Sequence, residues 1–274
     1  MSKFIRYIIK SFAFITFLIL FAIVSYILIK GIPYITPSLF ALKYTTENVS
    51  LFPAIITTFT ITLLSLIIAS PIGIFTGFYL VEYAKSGNKF IEIIRITTET
   101  LAGIPSIVYG LFGLLFFVTT LGWSFSILAG AFTLAIMILP LIMRATEEAL
   151  MAVPNGLREA SFALGAGKLR TIFKVVLPTA MPGILAGIIL SIGRIIGETA
   201  ALIYTAGTVA QIPKSLFDSG RTLSIHMYAL SSEGLFTDQA YATAVILLLV
   251  VIGLNYLSSY LSKKLLKGNS NEQN

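Results

Sequence analysis

A bundle of six membrane-spanning helices, with both chain ends on the cytoplasmic side, is the fold class that this sequence predicts. Three observations predict it. Hydrophobic residues make up 57% of the chain and charged residues only 11%, giving a mean hydropathy of +0.93. Long uncharged runs alternate with short polar segments, and the basic residues collect in every second segment. A backbone crossing lipid must satisfy its own hydrogen bonds, which a helix of ~20 apolar residues does. At 274 residues the chain has room for one helical membrane domain and no second large soluble one.

The elements follow in order. Ser11–Ile29 is nineteen residues without a charge, behind Lys3, Arg6 and Lys10. It is long for a signal peptide and no small-x-small cleavage site follows, so it is read as a retained first span. Residues 30–50 are a polar outer connector with Pro33 and Pro37. Leu51–Val81 is uncharged for thirty-one residues, and Pro71 with Gly73 is expected to kink or end this second helix near its far side. Residues 82–99 are mixed in charge, with a turn expected at Ser86-Gly87-Asn88. Thr100–Met143 is forty-four residues without a charge, enough for two spans. Their break is placed at Leu121–Ser124, with Trp123 at the membrane interface. A polar loop, 144–178, leads to a fifth span from Thr179 to about Ala206. The sixth runs from Ala240 to Ser262 and ends in Lys263, Lys264 and Lys267. The chain thus divides into an N-terminal helix with its connector, 1–50, and a core, 51–274.

With both termini inside, segments 1–10, 82–99, 144–178 and 263–274 hold three, three, five and three basic residues, against Lys30, Lys43, Lys214 and Arg221 outside. That imbalance fixes the orientation, and it accounts for the net charge of +7 without a nucleic-acid partner. There is no cysteine and one histidine, which excludes disulfide frameworks, thiolate sites and multi-histidine metal clusters. No catalytic residue, metal site or cofactor is expected in the chain.

Two features carry function. The first is Arg194 and Glu198 in the fifth span, whose i, i+4 spacing places them on one helix face where they can pair. An Arg at mid-membrane costs ~2.5–3.5 kcal/mol even on the gentle insertion scale, so it faces a bundle interior or a water-filled path. A structural ion pair and a substrate-path site both satisfy that. Arg offers a planar fork of donors that suits an oxyanion. Gly193 and Gly197, like Gly73 and Gly77, are read as close-packing positions. Arg144, at the cytoplasmic end of the fourth span, fits topology alone as well as it fits a path. His226 is read as a hydrogen-bonding or interface residue of an outer loop, with Asp218, Glu233 and Asp238 solvated nearby.

The second feature is the loop itself. Pro154 can open a helix at its first position. Leu157, Ala160 and Leu164 line one face, and Gly165 supplies a C-terminal stop. A second short helix, Lys168–Val176, is expected to end before Pro178. The result is a two-helix docking knob with Arg158 and Glu159 on its surface. Gly165-Ala166-Gly167-Lys168 is not a phosphate-binding loop, because Phe162 and Leu169 stand where Gly and Ser or Thr are needed.

Glu159-Ala160-Ser161, three residues, Gly165, nine residues, Val175, one residue and Leu177-Pro178 resemble the E-A-A-x3-G-x9-I-x-L-P loop of prokaryotic ABC importer permeases. Ser161 and Val175 are its two mild departures. The segments from Gly103, Leu139, Gly193 and Thr222 resemble the phosphate-specific permeases of that family, the last being more like PstA than its partner PstC. The resemblance covers the chain from about residue 50. It implies the type I importer fold and a plasma (inner) membrane location in a prokaryote, as the permease of an ATP-driven phosphate importer and not an enzyme. It implies Arg194, Glu198 and Arg144 in the substrate path, and Arg158, Glu159, Ala160, Gly165, Leu177 and Pro178 in coupling. The implied partners are a dimeric ATPase, a PstC-like second permease and an extracytoplasmic phosphate-binding protein. Import of another oxyanion, molybdate or sulfate, is the alternative, and an ion-coupled carrier with Glu198 as proton site is a more distant one.

Overall fold

The computed structural model describes residues 3–84 and 88–271; the expected turn at Ser86-Gly87 lies outside the described residues. Helix α1 is Lys3–Gly31, α2 Phe52–Phe78, α3 Lys89–Ala102, α4 Ser106–Gly113 and α5 Ile127–Met151. The second half holds α6 Asn155–Ala163, α7 Lys168–Thr171, α8 Leu177–Ile196, α9 Ala200–Ile203, α10 Leu223–Glu233 and α11 Thr237–Asn271. Among the described residues five helical stretches are long and apolar enough to cross a membrane, and α3 with α4, bent by 102° at their break, is a candidate sixth. The bend sits at Gly103-Ile104-Pro105, where Pro105 lacks an N–H and disfavours helical backbone at Ile104. Most of the mixed-charge segment 82–99 is thus helical, as α3 starts at Lys89.

Three spans widen locally to π-helix, at Tyr79–Tyr83, Leu114–Thr120 and Ile172–Val176. The last precedes Pro178, whose ring clashes with the carbonyl four residues back, and a wider turn relieves that clash. In the second, Thr119 and Thr120 hydroxyls donate to the carbonyls of Leu114 and Leu115, five residues back. Helix α2 runs through Pro71 to Phe78, so it does not end at Pro71.

The core is α5, flanked by α2 and α8. Lipid is as apolar as leucine, so spans associate through close packing. Here glycines permit it. A Cβ on Gly73 would lie 2.9 Å from Ile142 Cγ2, and one on Gly77 2.8 Å from Thr146 Cβ. On the other flank Gly183 and Gly187 seat on Ala149 and Ala145. Leu134, Ile138 and Ile142 of α5 are buried with Ile61, Ile195 and Leu202.

The outer end is closed by chain that the sequence reading left as loop. Carbonyls of Thr205, Leu216 and Asp218 accept from the N–H groups of Ser126, Leu128 and Ile127, capping donors that the first turn of α5 leaves free. Asp218 is exposed but also organises this loop, its Oδ2 accepting from the Lys214 and Ser215 amides. The connector after α1 is equally structural. Leu39, Val49 and Leu51 are buried with Leu223, Leu230 and Ala240.

Candidate translocation path and coupling loop

Helix α8 runs antiparallel to α5, with Gly187 on Ala145 and Gly183 on Ala149. Seven residues beyond Gly187, a rise of about 10 Å, Arg194 reaches the level of Ile138, midway along α5. The helix then stops. Ile196 is its last residue, and Gly197, Glu198 and Thr199 separate it from the single turn α9. The fifth span is a broken helix, where an unbroken one to about Ala206 was expected.

The break undoes the expected ion pair. Arg194 and Glu198 no longer share one helix, and they make no salt bridge. Glu198 is 9% exposed, and its Oε1 accepts from the Ala201 amide at 3.0 Å, satisfying a donor at the start of α9. Its carbonyl accepts from the Ser224 hydroxyl at 2.6 Å. Arg194 is exposed and has no hydrogen bond or ion pair among the described residues, although it lies within electrostatic reach of Tyr109. Gly193 and Gly197 were read as packing positions, yet a Cβ on Gly193 would meet nothing within 4 Å and one on Gly197 only the Gly193 carbonyl. Inside this chain they pack against no neighbouring helix and leave the space beside Arg194 open.

Arg144 is six residues nearer the cytoplasm on α5, about 9 Å. Its Nε donates to Glu148 at 3.0 Å, both side chains being more than half exposed. Together with Arg95, Glu99 and Glu147 they line a cavity of ≈190 Å³, in which Arg95 and Glu147 pair at 2.6 Å.

Below the bundle, α6 has no buried residue. Leu157 and Phe162 are exposed, and Leu164 is 89% exposed, so the apolar face expected of this helix stands free. Gly165 has φ +79°. Its amide donates to the Phe162 carbonyl and that of Ala166 to Ser161, a pairing that ends a helix on a left-handed residue. Ser161 and Thr171 hydroxyls meet at 2.8 Å, joining α6 to α7.

Two expectations about this loop are corrected. The second helix does not end before Pro178. From Lys168 to Ile196 it is one continuous stretch, because proline is tolerated in a first turn and the π segment absorbs its clash. Arg158 is also not on the surface. Its side chain is 15% exposed, and it pairs with Glu82, 10% exposed, at 3.0 Å. It further donates to the carbonyls of Leu150 and Val153 and to Asn155 Oδ1. Lys168 reaches the Glu82 carbonyl and lies over the Tyr83 ring at 4.4 Å. The coupling set is therefore divided. Glu159, Ala160 and Gly165 face outward, whereas Arg158 faces in and Leu177 packs with Leu150, Val153 and Val176. Pro178 is half-buried. Glu82, which organises the inward half, was missed; its one signal is that it is the first charge after the long second run.

Residues 69–267 match the family of binding-protein-dependent transport system inner membrane components. The chain belongs to this family. It is 34% identical over 272 residues to the probable ABC transporter permease protein YqgI of Bacillus subtilis, covering 91% of this chain and 90% of that one. It is 35% identical over 241 residues to the phosphate transport system permease protein PstA of Haemophilus influenzae, covering 86% and 83%. To PstA of Mycobacterium leprae it is 38% identical over 192 residues, 69% of this chain and 62% of that one. Within the family this permease is thus of the PstA type. Its fold is shared with a bacterial alginate ABC transporter, TM-score 0.70 at 18% identity over 96% of both chains. It is shared too with the inward-facing MetNI methionine ABC transporter, TM-score 0.58 at 22% identity over 80% of this chain and 94% of that one. Such permeases are multi-pass components of the plasma membrane, which agrees with the apolar spans here.

Proposed function

We propose that this permease forms one half of the path of an ATP-driven importer of inorganic phosphate. The observation that carries the proposal is Arg194, a guanidinium without a partner halfway along the bundle, on the last turn of a broken span. A charge there is costly unless it meets water or an anion. Its donor fork matches two phosphate oxygens. The identity to PstA proteins supports phosphate over other oxyanions.

Glu198 serves by fixing the break, since its carboxylate is held by α9 and does not neutralise Arg194. An anion leaving Arg194 for the cytoplasm next meets Arg144. The Arg144–Glu148 pair is exposed on both sides and so contributes little, and an arriving anion displaces Glu148 at little cost. Power comes from outside the chain. A dimeric ATPase receives the exposed face of α6, a second, PstC-like permease completes the path, and an extracytoplasmic binding protein delivers phosphate. Movement of α6 reaches α2 through Arg158–Glu82. It reaches Arg194 along the continuous stretch from Lys168 to Ile196, about 43 Å long.

The test is the ATPase activity of the reconstituted complex with its binding protein, measured against phosphate, sulfate and molybdate. Stimulation by phosphate alone is expected. Stimulation by sulfate or molybdate and not phosphate assigns the importer to that anion and refutes the proposal.

A further inference from the structure

A second cationic centre lies on the outer side, away from Arg194. Arg221 is 6% exposed and His226 is fully buried. Arg221 Nε and Nη2 are shut from solvent with no hydrogen-bond partner, and the buried ring nitrogens of His226 make no well-formed hydrogen bond, their one polar neighbour being the backbone at Val49. No salt bridge reaches Arg221 among the described residues. The Tyr44 ring lies 4.7 Å from the guanidinium carbon and stands edge-on to His226 at 6.2 Å. Two guanidinium nitrogens buried without acceptors are a costly arrangement for a fold to hold. An aromatic face offsets only a small part of that cost.

The surroundings are built, not incidental. Arg221 is fixed by its amide, which donates to the Val209 carbonyl. The following helix, α10, is anchored to α2 where the Leu223 amide donates to Thr58 Oγ1 at 2.9 Å. It is anchored to the break of the fifth span through Ser224 and the Glu198 carbonyl. Tyr44 belongs to a loop organised by Asn48, whose Oδ1 accepts from the amides of Thr45 and Ser50. Val49 in that loop is held at φ +39°, a strained value for a β-branched residue.

We propose that Arg221 and His226 form an outer oxyanion site, closed by the Tyr44 ring, that holds hydrogen phosphate before it passes inward to the broken fifth span. The chemistry of the two side chains sets the class of ligand. Arg221 offers only donors and requires acceptors. His226 is neutral, since burial, and then the charge of Arg221, lower its pKa to about 3 against the smaller opposing effect of the Val49 backbone. A neutral imidazole carries one acceptor nitrogen, and that nitrogen requires a donor. Hydrogen phosphate supplies acceptors and a P–OH together, whereas sulfate at neutral pH supplies acceptors only. The site stands on Arg221 and His226 and is separate from Arg194, although the ligand agrees with the function proposed above.

The test is equilibrium binding of radiolabelled inorganic phosphate to the whole complex in lipid nanodiscs, without nucleotide or binding protein. Tyr44→Ala is expected to open the site and raise occupancy severalfold. Adding Arg221→Gln to Tyr44→Ala removes charged hydrogen bonds and is expected to weaken binding at least about tenfold. Adding Arg194→Gln instead is expected to leave the Tyr44→Ala gain in place, so failure of the mid-bundle reading and failure of this one are separable. Subunit co-purification identifies any variant that fails to assemble, and His226→Phe provides the independent variant, with the Tyr44→Ala gain in phosphate binding lost. Sulfate is expected to compete poorly. Binding unchanged by Tyr44→Ala, or retained with Arg221→Gln, overturns the site, and equal competition by sulfate overturns the role of His226. Arg221→Gln that weakens only docking of the binding protein reassigns the cluster to a protein contact.

Discussion

Arg158→Met tests how the coupling helix is held. The guanidinium donates to Glu82, to two carbonyls of the α5 terminus and to Asn155, with both partners of the ion pair largely buried. Were the pair on the surface, its loss would cost ~0–1 kcal/mol. Removing one partner of a buried pair costs ~3–5 kcal/mol, because the other charge is stranded. The slight exposure of both groups puts the figure near the lower end, about 3 kcal/mol. If α6 opens locally from the bundle, that loss speeds its opening about a hundredfold. The assay is hydrogen exchange at the amides of Leu164, Gly165 and Ala166, which close the end of α6, in the intact complex. Glu82→Gln completes a double-mutant cycle, in which the second substitution adds little to the first. Exchange accelerated less than about fivefold, the surface-pair value, or strict additivity in the cycle, refutes the strut between α6 and α2.

Other substitutions separate backbone, packing and open-face roles. Gly165→Ala forces a side chain into a left-handed position with no steric neighbour, so it is expected to cost about 1 kcal/mol of local stability, read by the same exchange; Gly156→Ala, within α6, is the control that costs nothing. Gly187→Val drives its side chain into Ala145 and is expected to destabilise the bundle by ~1–3 kcal/mol, lowering the melting temperature in detergent. Gly193→Ala meets open space and is expected to keep the melting temperature or raise it, while lowering uptake if that space belongs to the path.

The spans were legible because hydropathy and charge asymmetry follow from the solvent alone. The stop at Gly165 was legible for a similar reason, since glycine is the residue that ends a helix left-handed. Where a second element decided the outcome, the sequence was misleading. The spacing of Arg194 and Glu198 implied a shared helix face, but the helix ends at Gly197 and the amide of Ala201 gives the Glu198 carboxylate another partner. Pro178 reads as a stop in isolation, yet a wider turn before it lets the helix continue. Arg158 looks solvated beside Glu159 until Glu82, seventy-six residues earlier, is brought beneath it. The Arg221–His226 centre was invisible for the same reason, because only the fold brings Tyr44 over it. Asp218 is exposed, as expected, but its carboxylate also organises the outer loop and its carbonyl ties that loop to α5.

The most direct measurement is ATP-driven uptake of radiolabelled phosphate into proteoliposomes holding the complex with Arg194→Gln. Glutamine keeps hydrogen-bonding capacity but loses the charge and the fork. Uptake is predicted to be abolished, with subunit assembly and basal ATP hydrolysis intact. Uptake at the unmodified rate would contradict the account, because the anion would then cross the middle of the bundle without the guanidinium that stands there.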